Sequence, residues 1–245
     1  MTSAQHLNAA EASATGGRTL EVFADTPRIN RWIYSKLAAD VHGDVLEIGS
    51  GIGNLSAHIV ASATSVVLSD MESHYLEALS ARFANDTQVS VASFNLDGEP
   101  PPEIARRRFD AIVAVNVIEH IEDDHALVAR LAALLKPGGK LLVYVPACPF
   151  AYGTLDRALA HYRRYTRASL TKLLAGAGLH LDPPRFMNLV GLLGWTVNGR
   201  ILGRKHLSPV QLALFERLMP LFTLEDHFHL PIGLGVYAAA EKPAA

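Results

Sequence analysis

The run Val45-Leu46-Glu47-Ile48-Gly49-Ser50-Gly51-Ile52-Gly53-Asn54 constrains this chain more than any other. A short apolar stretch carrying one acid ends in three glycines at alternate positions. Glycine loses more backbone freedom on folding than any other residue, so such a cluster needs a physical reason. A buried strand turning through a positive-φ loop into a helix supplies one. The bare backbone then lets a ligand approach, and the helix start aims free N–H groups at it. Two phosphate-loop spacings are excluded. GxxxxGK followed by Ser or Thr is missing. GxGxxG fails at Asn54, which weighs against a pyrophosphate ligand.

From about Asp40 strands and helices alternate. Val45–Ile48, Val66–Ser69, Val89–Phe94, Ala111–Val115 and Lys140–Val145 read as short buried strands. Asn54–Ser62, Ser73–Phe83 and Asp123–Leu135 read as crossover helices, the last ended by Lys136-Pro137-Gly138-Gly139. This order predicts an α/β fold, a parallel sheet with helices on both faces. An amphipathic helix over Ile29–Ala39 precedes it and carries Trp32. Thr166 caps a helix over Arg167–Ala177, and Ser208-Pro209 opens another that runs to Leu218. Gly235–Ala240 reads as the last strand. Residues 1–26 are expected to be a flexible tail and 27–245 a single domain. Within that domain, 147–166 form a substrate loop and 186–232 a helical insert or cap.

Of the 245 residues, 49% are hydrophobic and 19% charged, a globular composition with a sizeable core. The formal net charge of -2 argues against a general nucleic-acid binder. A lone cysteine, Cys148, permits no intramolecular disulfide. The N-terminal residues lack a basic stretch followed by an apolar run. Both features lead us to expect a cytoplasmic protein. The apolar stretch Phe186–Gly199 is too short and too glycine-broken to span a bilayer.

Glu47-Ile48-Gly49-Ser50-Gly51-Ile52-Gly53 resembles the ExGxGxG motif of class I S-adenosylmethionine (SAM) dependent methyltransferases. Phe109–Asp124 and Leu134–Pro146 resemble that family's fourth-strand and fifth-strand stretches. The resemblance implies a Rossmann-like, doubly wound, seven-stranded and mostly parallel sheet with a C-terminal antiparallel strand. It implies SAM as cofactor, S-adenosylhomocysteine as product and no metal. Cofactor-binding residues would be Glu47, Gly49, Gly51, Gly53, Asn54, Asp70, Met71, Asn95, Leu96, Asp97, Asn116 and His120. Asp70 ends the second strand, 17 residues after Gly53. There a carboxylate would accept the ribose hydroxyls.

The substrate loop is similar to a bacterial subfamily signature, YGxxDxxxGHxRRYT, often linked to polysaccharide or secondary metabolism. Tyr152, Gly153, Asp156, His161, Arg163, Arg164, Tyr165 and Thr166 match it, whereas Ala160 stands where the subfamily has glycine. If that position has positive φ, alanine there costs about 1 kcal/mol. His161, His120 and Tyr152 are the catalytic candidates, since an imidazole suits proton removal near neutral pH. Tyr152, Asp156, Arg163, Arg164, Tyr165 and Trp195 are the acceptor-binding candidates. The arginines would grip an anionic acceptor; internal pairing with Asp156 is their alternative. Glu225-Asp226-His227-Phe228-His229 has the residue types of a metal site but no further spaced ligand. Asp182-Pro183-Pro184 reads as an ordinary proline turn. The expected function is methyl transfer to an O, N or C atom of a small molecule, in secondary metabolism or polysaccharide or lipid biosynthesis. A SAM-binding cyclase or regulator is the alternative, with a nucleic-acid methyltransferase behind it. Trp195 and its apolar neighbours would form a cap over the site or a homodimer face.

Overall fold

The computed structural model describes residues 26–244, so the expected tail lies outside the described residues except for Thr26. The chain enters through helix α1 (Pro27–Ser35), with proline in its first turn, where the missing N–H costs nothing. Strand β1 (Asp44–Ile48) follows, then α2 (Ser56–Val60), β2 (Ser65–Asp70), α3 (Ser73–Arg82) and β3 (Val89–Ser93). A short α4 (Pro102–Ala105) leads to β4 (Phe109–Val115), α5 (Asp124–Leu134) and β5 (Leu135–Pro146). Asp123 caps α5 by accepting the Ala126 N–H at 2.9 Å.

The strands lie in the order β3-β2-β1-β4-β5, all parallel. Strand order reverses direction between β1 and β4, so ligands are expected beyond the C-terminal ends of these two strands. Side chains alternate between the two faces, as a period of two requires. Leu46, Ile48, Ile112, Ala114, Leu141 and Val143 join Leu127, Leu131 and Leu134 of α5 in one buried cluster. Val45, Val66, Leu68, Ala111, Val113 and Leu142 join Ile59, Leu79 and Phe83 in another. The expected doubly wound architecture is therefore present.

Beyond β5 the sheet turns antiparallel. Helices α6 (Thr154–Ala158) and α7 (Arg167–Gly176) precede β6 (His180–Leu181) and β7 (Arg185–Met187). The final strand β8 (Gly235–Glu241) runs antiparallel to β5, with Val143 opposite Ala238. Strands β6 and β7 pair with opposite ends of β8. Eight strands thus form the sheet among the described residues, where seven were expected. Asp182-Pro183-Pro184 accounts for the difference: proline donates no backbone hydrogen bond, so one edge position is split into two short strands.

Several boundaries differ from the sequence reading; α1 ends at Ser35 instead of Ala39, and the helix opened by Ser208 runs to Phe222 instead of Leu218. The first crossover helix starts at Ser56 instead of Asn54, because the glycine turn extends further. Lys136-Pro137-Gly138-Gly139 does not separate α5 from β5. The strand begins at Leu135, with a register shift between Phe109 and Ala111 of its partner β4. Phe186 and Met187 belong to β7, so the insert begins at Asn188.

Helix α8 (Leu189–Thr196) runs on as a π-helical turn to Ile201, and α9 (Pro209–Phe222) follows. Ser208 caps α9 by accepting the Gln211 N–H. Glu225, Asp226 and Glu216 tie this insert to the body. Glu225 accepts the Asn188 and Leu189 N–H groups. Asp226 pairs with Lys36 and accepts the Trp32 indole N–H, and Glu216 accepts the N–H groups of Arg28 and Ile29. The acids of the Glu225–His229 stretch thus anchor the insert. Among the described residues, no helix is long and apolar enough to cross a membrane.

Candidate active site

The glycine loop leaves β1 at the point where strand order reverses. Gly49, Gly51 and Gly53 all have positive φ, at +64°, +53° and +82°. Gly49 is doubly required, since a Cβ there would lie 2.5 Å from Cγ2 of Val117. The loop is braced from several directions. Asp70, at the end of β2, accepts the Gly51 N–H at 2.9 Å through Oδ2 and the Glu72 N–H at 3.1 Å through Oδ1. Arg82 donates to the Ile52 carbonyl at 3.0 Å, and the Ser50 N–H donates to the Ser69 carbonyl at 2.9 Å.

Glu47 is buried beneath the loop, and its Oε2 accepts the Ser56 hydroxyl at 2.5 Å. Burial pushes its carboxyl up to about 7, with the Asp70 charge adding to the rise; Ser56, Ser50 and Arg82 oppose it. Met71 is exposed beside Asp70, and Asn95 and Asp97 are exposed after β3. Asn95 Oδ1 accepts the Asp97 N–H at 3.1 Å. Leu96 is buried. Asn116 follows β4 with φ +54°, its N–H held by the Tyr144 carbonyl at 2.8 Å. Asn54 closes the loop before α2. The expected cofactor residues therefore share the ends of β1 to β4.

The substrate loop is organised around Asp156, whose side chain is fully buried. One carboxylate oxygen accepts Arg164 Nε at 2.7 Å and faces His161 Nδ1 at 3.1 Å. The other accepts the Gly153 N–H at 2.9 Å and the Trp195 indole N–H at 3.0 Å. Burial alone would raise this carboxyl. The His161 hydrogen bond, the Arg164 charge and the remaining donors outweigh burial and hold it at about 2. Asp156 is thus an anion, and His161 presents its Nδ1–H to it. The Arg164 guanidinium also donates to the Ala147 carbonyl at 2.8 Å and lies 5.0 Å from the Trp195 ring centroid.

The two arginines expected at an anionic acceptor are engaged within the protein. Arg164 is buried on Asp156. Arg163 pairs with Asp124 at 2.9 Å and donates to the Glu122 carbonyl. Tyr165 is buried and donates to Asp124 at 2.7 Å, and Tyr152 donates to the His161 carbonyl at 2.7 Å. Ala160 has φ +57°, the left-handed conformation suited to the glycine of the resembled signature.

His120 and His161 meet edge to face, with ring centroids 4.7 Å apart. Burial, and then the adjacent His161, holds His120 well below its ordinary value, so its ring is neutral. Glu119 joins them, placing ligand atoms of the three side chains within 4.8 Å of one another. Its side chain is wholly buried and neither oxygen has a hydrogen-bond partner among the described residues. Desolvation pushes its carboxyl up to about 8. The sequence brings Glu119 to the substrate edge beyond the fourth strand, with Asn116 and His120, but gives it no specific role.

The model of the methyltransferase domain family matches residues 23–183. A probable S-adenosylmethionine-dependent methyltransferase of Mycolicibacterium smegmatis is 32% identical over 178 residues, covering 69% of this chain and 65% of that relative. This chain therefore spans just under two thirds of that relative's length. The DhpI complex with S-adenosylhomocysteine matches with a TM-score of 0.58 at 17% identity, covering 97% of both chains. The cyclase SpnF matches with a TM-score of 0.57 at 14% identity, covering 89% of this chain and 82% of that one. At these identities the two structures speak for the fold alone. With the family model spanning most of the chain and a glycine loop at the strand-order reversal of a doubly wound sheet, the chain belongs to the class I SAM-dependent methyltransferase family.

Proposed function

We propose that this protein transfers the methyl group of SAM to a small-molecule acceptor. The observation that carries the reading is the Asp70–Gly51 brace. It fixes a positive-φ loop at the strand-order reversal and leaves Asp70 lone pairs for two ribose hydroxyls. The buried Glu47 supports the loop from below through Ser56. The acceptor then lies beyond β4 and β5, over His120, His161 and Glu119.

Methyl transfer is an in-line displacement on a sulfonium carbon. Sulfur loses its positive charge as the S–CH₃ bond breaks, so the leaving group needs little electrostatic help. Holding donor and acceptor in line supplies about 7–11 kcal/mol of the barrier. An acceptor hydroxyl must also lose a proton, and the Glu119-His120-His161 cluster is the place for that step. Asp156 fixes the His161 tautomer with Nδ1–H occupied, leaving Nε2 available. Trp195, bonded to Asp156, brings the insert over this loop as a cap.

The internal pairing of Arg163 and Arg164 favours an acceptor of no particular charge over an anionic one. Secondary metabolism or polysaccharide or lipid biosynthesis is the setting, and the lone Cys148 suits a reducing cytoplasm. The fold shared with a cyclase keeps a non-methylating use of SAM as the second reading. Incubation with methyl-labelled SAM and fractionated small-molecule extracts separates the two. Labelled product with stoichiometric S-adenosylhomocysteine supports methyl transfer; a transformed substrate with intact SAM supports the second reading.

A further inference from the structure

Glu119 has a wholly buried carboxyl group with no hydrogen-bond partner on either oxygen among the described residues. A buried carboxylate without a partner costs several kcal/mol, and a protonated one would still leave its O–H without an acceptor. A bound ligand would supply what the described residues do not. The neighbours of Glu119 indicate which ligand. The His161 ring faces Asp156 through Nδ1 at 3.1 Å, and the His120 ring meets it edge to face with centroids 4.7 Å apart. His161 therefore has one nitrogen on an oxygen acceptor, which leaves Nε2 for a ligand. Metal-bound histidines show this pattern, with the outer hydrogen bond fixing the tautomer and raising ligand basicity.

We propose that Glu119, His120 and His161 bind a divalent transition-metal ion of the zinc class, leaving an open coordination position for the acceptor. Two imidazole nitrogens and one carboxylate oxygen form a three-ligand set typical of catalytic zinc. Ligands around one such ion lie about 3.4 Å apart. The three donor atoms are within 4.8 Å already, so side-chain rotations of about an ångström close the site. The cation would answer the buried, unpartnered Glu119 carboxylate. Among the described residues this is the one cluster of its kind; the His227 and His229 region does not form another.

The role, though not the binding, of the ion rests on the methyl-transfer reading. An acceptor hydroxyl on the open position would lose its proton to solvent more readily. Its oxygen would then form the O–CH₃ bond as the S–CH₃ bond breaks.

The test uses the full chain, dialysed against a chelator and titrated with Zn²⁺ by calorimetry, and with Co²⁺ by visible absorption. We expect one zinc per chain. We expect cobalt to give the intense bands of a four- or five-coordinate site. Glu119→Gln and His120→Asn should each weaken zinc at least tenfold. Failure of the unaltered chain to bind zinc overturns the inference, as does a pale six-coordinate cobalt spectrum. Unchanged zinc affinity in Glu119→Gln also overturns it, since the metal would then sit elsewhere. The cobalt spectrum of the unaltered chain decides the matter even if a variant fails to fold. SAM affinity measured on the same samples separates the two readings: SAM binding without zinc removes the ion alone, and zinc binding without SAM removes the methyltransferase reading alone.

Discussion

The buried Asp156 carboxylate holds Arg164 Nε at 2.7 Å while its other oxygen holds the Trp195 indole at 3.0 Å. One side chain thus couples the 147–166 loop to the insert packed against it. It also neutralises a guanidinium that is itself buried.

Asp156→Asn should therefore be strongly destabilising. It keeps the shape but leaves Arg164 without a counterion, a loss of about 3–5 kcal/mol when a buried pair is broken. Denaturant unfolding followed by far-UV circular dichroism measures this. A loss below about 1 kcal/mol would show that Arg164 finds another partner.

Ala160→Gly should stabilise the protein. Alanine at φ +57° carries the cost of the left-handed region, about 1–2 kcal/mol, part of which glycine returns through its greater freedom when unfolded. We expect a gain of about 0.5–1 kcal/mol, or roughly 1–4 °C in melting temperature. A lower melting temperature would mean that the Cβ makes packing contacts that outweigh the backbone strain.

Glu47 gives stability a pH dependence with a definite sign. Its folded value near 7 lies above the ordinary 4.5, so the folded state holds a proton that the unfolded state releases. The contribution is full below about pH 4.5 and is lost as pH rises through about 7. Between about 4.5 and about 7, at about 1.4 kcal/mol per pH unit, the loss is about 3–4 kcal/mol. Glu47→Gln removes this titration. The stability difference between the unaltered protein and Glu47→Gln should shift against the unaltered protein between about pH 5 and pH 8. A difference that stays constant across that range would place a neutralising group beside Glu47.

Gly49→Ala should abolish measurable SAM binding, since its Cβ would meet Val117 at 2.5 Å in a left-handed backbone. The double variant Gly49→Ala with Val117→Ala removes the steric part and leaves a backbone cost of about 1–2 kcal/mol. We expect partial recovery by calorimetry. No recovery in a folded double variant would mean that the conformation, and not Val117, requires glycine.

The α/β alternation was legible because buried parallel strands leave short apolar runs between amphipathic helices, and the glycine cluster marked the ligand edge. The split of the edge position into β6 and β7 was visible only as Asp182-Pro183-Pro184, since pairing with β8 is non-local. The start of β5 at Leu135 was hidden for a similar reason: Pro137 and Gly138 read locally as a stop, and pairing with Phe109 overrides them. Within the site, Asp156, His161 and Trp195 were named one by one, but their meeting depends on the insert folding back across 39 residues. The sequence places Glu119 only as an acid after the fourth strand, beside His120; its importance lies in the partner it lacks among the described residues.

The central claim is that SAM lies over the glycine loop with Asp70 on its ribose. Calorimetric titration of SAM into the unaltered protein and into Asp70→Ala tests it most directly. We expect binding by the unaltered protein and at least a tenfold loss, about 1.4 kcal/mol, in the variant with its fold intact. Equal affinities, or no SAM binding by the unaltered protein, would contradict the account.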